Sequence, residues 1–104
     1  MRVCLVYVTA GSLEEAKDIG RALVTARLAA CANIIPHMHS IYEWEGKLQE
    51  DTEAILIAKT TESLVGPVVE KVKALHSYTC PCVVSLPVSD GNREFLDWVA
   101  AQVG

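Results

Sequence analysis

Four apolar stretches rich in β-branched residues alternate with three stretches of helical apolar spacing, in the order β-α-β-β-α-β-α. That order predicts an α+β fold, a ferredoxin-like split βαβ sandwich with a long β-hairpin and an extra C-terminal helix. The chain has 104 residues, enough for one domain over residues 1–104 and no separate catalytic domain. Its hydrophobic content of 51% exceeds that of an average soluble domain once the 6 glycines are added. A small domain with surplus apolar surface is expected to hide it in an oligomer interface.

Val3 to Val8 is an unbroken apolar run, which suits a central strand covered on both faces. Ser12-Leu13-Glu14-Glu15 has capping-box spacing, with Ser12 accepting from the Glu15 backbone and Glu15 reaching back to Ser12. Leu13, Ala16, Ile19, Gly20 and Leu23 then mark one face of a first helix running to about Leu28. Ala29 to Trp44 is extended, and Pro36 within it demands an edge strand or a bulge. Glu45-Gly46 supplies a turn, and Lys47 to Lys59 returns as a second long strand, polar near the tip and apolar from Ala54 to Ala58. A second helix occupies roughly Glu62 to Leu75, and Pro67 fits best in its first turn, so the regular part begins near Gly66. Cys82 to Val88 reads as a last core strand, and Asn92 is placed to cap a helix carrying Phe95, Leu96, Val99 and Val103 on one face.

A strand of about fifteen residues at roughly 3.3 Å each reaches about 50 Å, against about 35 Å for a domain of this size. The central hairpin must therefore overhang its own domain. An overhanging hairpin with unpaired edges aggregates unless covered, and a closed ring of subunits covers it. The formal charge of -4 excludes the basic footprint of a nucleic-acid binder. The first apolar run is too short for a signal-peptide core and no stretch approaches transmembrane length, which predicts a cytoplasmic protein with no membrane partner. Cys4, Cys31, Cys80 and Cys82 are then expected as reduced thiols, the first two in the core. In an extended segment Cys80 and Cys82 stand about 6.5 to 7 Å apart at Cα, beyond the usual disulfide separation.

Several segments taken in order resemble the CutA divalent-cation tolerance proteins: Arg27-Leu28-Ala29-Ala30-Cys31-Ala32-Asn33-Ile34, Ser40-Ile41-Tyr42-Glu43-Trp44-Glu45-Gly46-Lys47, Lys59-Thr60-Thr61, and Gly91-Asn92 ahead of an aromatic residue and Trp98. The resemblance covers nearly the whole chain. It implies a homotrimer of ferredoxin-like subunits, similar in architecture to the PII signalling proteins, and agrees with the ring inferred from hairpin length. One segment departs from the pattern. Where the family usually reads His-Pro-Tyr-Glu-x-Pro-Glu, this chain reads His76-Ser77-Tyr78-Thr79-Cys80-Pro81-Cys82, so that Thr79 and Cys82 replace the two carboxylates.

The replacement offers one imidazole and two thiols, His76, Cys80 and Cys82, a set suited to Cu(I) or Zn(II) rather than to Mg, Ca or Mn. The competing reading of both cysteines is that they are small buried hydrophobes. His37 and His39 are read as solvated or interface residues, although a metal is conceivable there. Tyr42 and Trp44 share a strand face with Met38 and Ser40 and are expected, with Lys59 and Tyr78, at an inter-subunit cleft. A stacking pocket for a small aromatic ligand is the alternative for that pair. Glu50, Asp51, Glu53 and Lys59 read as a solvated or interface surface, since no nucleophile, base and orienting group accompany them. The expectation is a cytoplasmic, trimeric, non-enzymatic protein that binds a divalent or soft metal ion, Cu or Zn, without an organic cofactor, and acts in copper or other metal tolerance. The alternative is a PII-like signalling or scaffold protein that binds a small ligand or a partner at its inter-subunit clefts.

Overall fold

The computed structural model describes residues 2–104. The elements run β1 (Val3–Ala10), α1 (Leu13–Thr25), β2 (Cys31–Trp44), β3 (Lys47–Thr61), a 3-10 turn (Glu62–Leu64), α2 (Val65–Leu75), β4 (Val83–Pro87) and α3 (Arg93–Gln102). They form one antiparallel sheet in the order β2-β3-β1-β4, so β3 is inserted between the strands that α1 connects. The α+β split βαβ arrangement with its long hairpin and extra C-terminal helix is as the sequence predicts.

Local chemistry explains the boundaries. Ser12 caps α1 by accepting from the Glu15 N–H at 3.1 Å. The helix stops at Thr25, three residues before the expected Leu28, because Arg27 takes a left-handed φ of 59°. The Leu28 N–H then closes on the Leu23 carbonyl at 2.9 Å and the Arg27 N–H on Val24 at 3.0 Å, the paired bonds of a Schellman ending. The Arg27 carbonyl accepts from the Gly104 N–H at 3.0 Å, which holds this non-glycine residue in place. Pro67 lies in the first turn of α2 as expected, preceded by the 3-10 turn. Glu45 and Gly46 both have positive φ, 51° and 78°, the two-residue hairpin turn whose twist matches its strands.

Pro36 falls on an edge strand at a break in register. Ile35 pairs with Ile55 and Met38 with Glu53, so β2 holds one extra residue there. That bulge changes which face every later residue of β2 occupies. It places Met38, Ser40, Tyr42 and Trp44 on the same side as Ile35. Beyond Ala54, β3 has only β2 for a neighbour, so the hairpin projects past the four-stranded sheet and the molecule measures 45 × 25 × 22 Å.

The core lies between one sheet face and the helices. Val6, Val8 and Ala10 of β1 and Ala54, Leu56 and Ala58 of β3 pack with Ile19 and Leu23 of α1 and Val68 and Val72 of α2. The opposite face corrects two expectations. β1 is central but covered by its own chain on one side only, and Leu5, Tyr7 and Thr9 remain half-buried. β4 is not a core strand: it starts at Val83 rather than Cys82, forms the sheet edge, and leaves Val84 and Leu86 about half exposed. The register aligns Val84, Tyr7 and Ile57 in one row and Leu86, Leu5 and Lys59 in the next. This makes a largely apolar sheet face. Phe95 of α3 reaches it at one end, where the Lys59 Nζ stands 5.7 Å from the ring centroid.

Candidate functional site

The segment between α2 and β4 is pinned from its beginning. Glu15, expected to reach back to Ser12, instead accepts from the Gly11 N–H at 3.0 Å through one oxygen and from the Ser77 N–H at 2.8 Å through the other. Burial pushes this carboxyl up, yet the hydrogen bonds from Ser77 and Gly11 outweigh that effect and hold it below the ordinary carboxylate value. Next along the chain, the His76 side chain is fully buried. Its Nε2 donates to the Thr9 carbonyl at 2.7 Å, and its Nδ1 accepts from the Tyr78 N–H at 3.1 Å. Both ring nitrogens are therefore engaged, and the bonding assigns the neutral Nε2–H tautomer. Tyr78 packs on the His76 ring with centroids 4.6 Å apart and sends its hydroxyl to Glu53 Oε2 at 2.7 Å. Burial and the Glu53 carboxylate both push the Tyr78 phenol well above its ordinary value, so it stays a donor. Gly11 provides the room, since a Cβ there would come within 3.3 Å of the Tyr78 hydroxyl.

With the segment held in this way, a groove of about 510 Å³ opens between it and the projecting hairpin. Tyr42 and Trp44 line it from the hairpin, Glu53 from β3, and Tyr78, Cys80 and Cys82 from the loop. Both cysteines are exposed thiols, whereas Cys4 is buried and Cys31 half-buried. Burial and the nearby Glu53 carboxylate push the Cys82 thiol up, partly offset by a hydrogen bond with Thr9. The reading of Cys80 and Cys82 as buried hydrophobes does not hold, because the chain bends away from the sheet before β4 begins.

The structure thus brings together five of the seven residues singled out from the sequence: Tyr42, Trp44, Tyr78, Cys80 and Cys82. His76 lies behind this wall, spent on backbone groups. Lys59 is apart on the open sheet face, donating to the Asn33 side-chain Oδ1. Among the described residues no group of three or more His, Cys, Asp or Glu side chains is arranged to hold a metal ion. His39 pairs with Glu50 at 2.9 Å on the exposed hairpin. Sequence reasoning missed the place of Glu53 in the groove: it read the residue as part of a solvated or interface surface, and the residue is 9% exposed. Its parity with Ile55 and Ile57 on β3 was the available signal, since alternate residues share a face.

These features define a small ferredoxin-like α+β module with an overhanging hairpin and a thiol-bearing groove. Comparison with known proteins places the module. The chain belongs to the CutA1 divalent ion tolerance protein family, whose model matches residues 4–102. It is 49% identical over 100 residues to the divalent-cation tolerance protein CutA of Thermus thermophilus, covering 96% of this chain and 97% of that one. The structure of the Thermus thermophilus divalent cation tolerance protein superposes with a TM-score of 0.95 over 98% of this chain and 99% of that chain, at 48% identity. The structure described as the periplasmic divalent cation tolerance protein CutA of Archaeoglobus fulgidus also gives 0.95, at 43% identity and with 98% and 99% of the two chains covered. The chloroplastic CutA of Arabidopsis thaliana is 45% identical over 95 residues, which is 91% of this chain and 52% of that protein. This chain therefore spans nearly all of the Thermus relative and about half of the plant one. The family associates the chain with divalent-cation tolerance and points to binding rather than to catalysis. Among the described residues no helix is long and apolar enough to cross a membrane.

Proposed function

We propose that this protein is a cytoplasmic, non-enzymatic homotrimer that acts in metal tolerance by holding a copper or zinc ion in the groove bearing Cys80 and Cys82. The observation that carries the reading is the uncovered sheet face beside that groove. Leu5, Tyr7, Ile57, Val84 and Leu86 make a face that an antiparallel sheet exposed to water would fill with polar residues. Covering it needs other chains, and a closed ring also protects the edge strands β2 and β4. The trimer that the CutA resemblance implies is such a ring. In the ring the groove becomes an inter-subunit cleft, with Tyr42, Trp44 and Tyr78 at its wall and Lys59 on the covered sheet face. His76 supports the loop that presents the two thiols.

Light scattering behind a sizing column tests the assembly, and the expected mass is three times 11.3 kDa. A stable folded monomer at micromolar concentration overturns it. Growth of cells lacking and overproducing the protein, under graded copper and zinc load, tests the role. A second reading draws on the aromatic lining of the same groove: a PII-like signalling or scaffold trimer whose clefts take a small ligand or a partner. A thermal-shift screen separates the two, because a true ligand stabilises the folded state by mass action. Stabilisation by metals supports the first reading, and stabilisation by nucleotides or carboxylates alone supports the second.

A further inference from the structure

We propose that the groove is a two-thiol site selective for soft monovalent cations of the Cu(I) type, bound between Cys80 and Cys82 alone, in preference to Zn(II). The inference rests on the metal-holding reading above and narrows it to one class of ion.

The argument is one of ligand supply. Zinc in protein sites takes four ligands, or three and a water, from His, Cys, Asp and Glu. Within one chain this groove does not provide them. His76 has committed Nε2 to the Thr9 carbonyl and Nδ1 to the Tyr78 N–H, and freeing either would unpin the loop that carries the thiols. Glu53 is tied through Oε2 to the Tyr78 hydroxyl, and its remaining oxygen does not converge with the two thiols in a three-ligand group. No set of three or more candidate ligands converges among the described residues. What the groove does present is a pair of exposed thiols two residues apart on one wall. Thiolate is the ligand that soft cations prefer. Two sulfurs each about 2.3 Å from one ion stand less than about 5 Å apart, a separation open to the side chains of residues two positions apart by rotation about χ1. Pro81 between them removes one backbone freedom and so reduces the ordering cost of bringing the sulfurs to one ion. The aromatic walls, Tyr42, Trp44 and Tyr78, supply bulk and no competing anionic ligand.

Silver(I) serves as the redox-stable probe, titrated into the full-length protein in oxygen-free, chloride-free buffer and followed by native mass spectrometry. The expected result is one Ag(I) per chain. Alkylation mapping should show Cys80 and Cys82 protected together by the ion, with the labelling of Cys4 and Cys31 unchanged. Cys80→Ser and Cys82→Ser should each weaken Ag(I) binding beyond the roughly 10 to 100-fold typical of losing an outer-shell partner, and Zn(II) should not displace Ag(I). Both cysteines lie outside helices and strands, and circular dichroism confirms that each variant folds. Retention of the site in Cys80→Ser, one ion per trimer, or protection of a single thiol overturns the proposal. Tight Zn(II) binding that competes with Ag(I) also overturns it and leaves the wider metal reading standing, whereas failure of every metal to bind removes both.

Discussion

Glu15 joins two parts of the chain that lie 62 residues apart. The Ser12 to Glu15 spacing correctly marked a helix start, but the second carboxylate oxygen serves Ser77 and so fixes the loop behind the groove. Because the folded-state pKa of Glu15 is lowered, folding favours its ionised form. The resulting stability is fully present above the unfolded carboxylate pKa and disappears as pH falls through the lower folded value. Glu15→Gln should therefore cost about 1 to 2 kcal/mol at pH 7, the scale of a charge-assisted hydrogen bond lost. The gap between wild type and variant should narrow at an acidic pH, as pH falls through the lowered folded value. Urea unfolding at fixed protein concentration, run at both pH values, measures it; a gap that stays constant would mean that the Ser77 and Gly11 bonds do not depend on the charge.

At the scale of elements, the hairpin is the part whose purpose lies outside its own domain. Its two-residue turn, its edge position for Pro36 and its overhang all follow from local rules, and all were readable. Pro36 marked the place for an edge strand or a bulge, and the extra residue between Ile35 and Met38 lies there; what the sequence left open was whether a residue is inserted, and that insertion decides that Tyr42 and Trp44 share the side of the open sheet face. Trp44 is 52% exposed in the single chain, too open for a core residue. Trp44→Ala should accordingly leave the secondary structure intact and weaken assembly by about 2 kcal/mol or more, as loss of an aromatic anchor at a contact does. Sedimentation across a dilution series reads the change. Unaltered assembly at every concentration would make Trp44 a solvent-facing tip residue.

For the whole molecule, the decisive feature is the mismatch between the apolar continuity of β1 and the single face its own helices cover. Val6 and Val8 point to the core; Leu5 and Tyr7 face the other way and stay half-buried. Ile57→Asp places a charge in the middle row of that open face, where assembly would have to bury it among apolar side chains. The expected outcome is dissociation of the proposed trimer into smaller species with a lower melting temperature. An Ile57→Asp protein that remains trimeric and equally stable would show that another surface joins the subunits.

The order of elements, the capping of α1 and α3, the turn at Glu45-Gly46 and the cluster around Tyr78, Cys80 and Cys82 were legible in the sequence, because each depends on residues within a few positions of one another. The early end of α1 was hidden in Arg27, whose left-handed φ is stabilised by Gly104, 77 positions away. His76 illustrates the same division. Its position beside two cysteines suggested a ligand, and composition could not distinguish that from the hinge pin it forms with Thr9 and Tyr78. A side chain's hydrogen-bond capacity is set by its chemistry, but which partners use that capacity is settled only when distant backbone groups are packed against it. The half-buried strand face follows the same logic: pattern reveals that a surface must be covered, and only the folded chain reveals which surface its own helices leave bare.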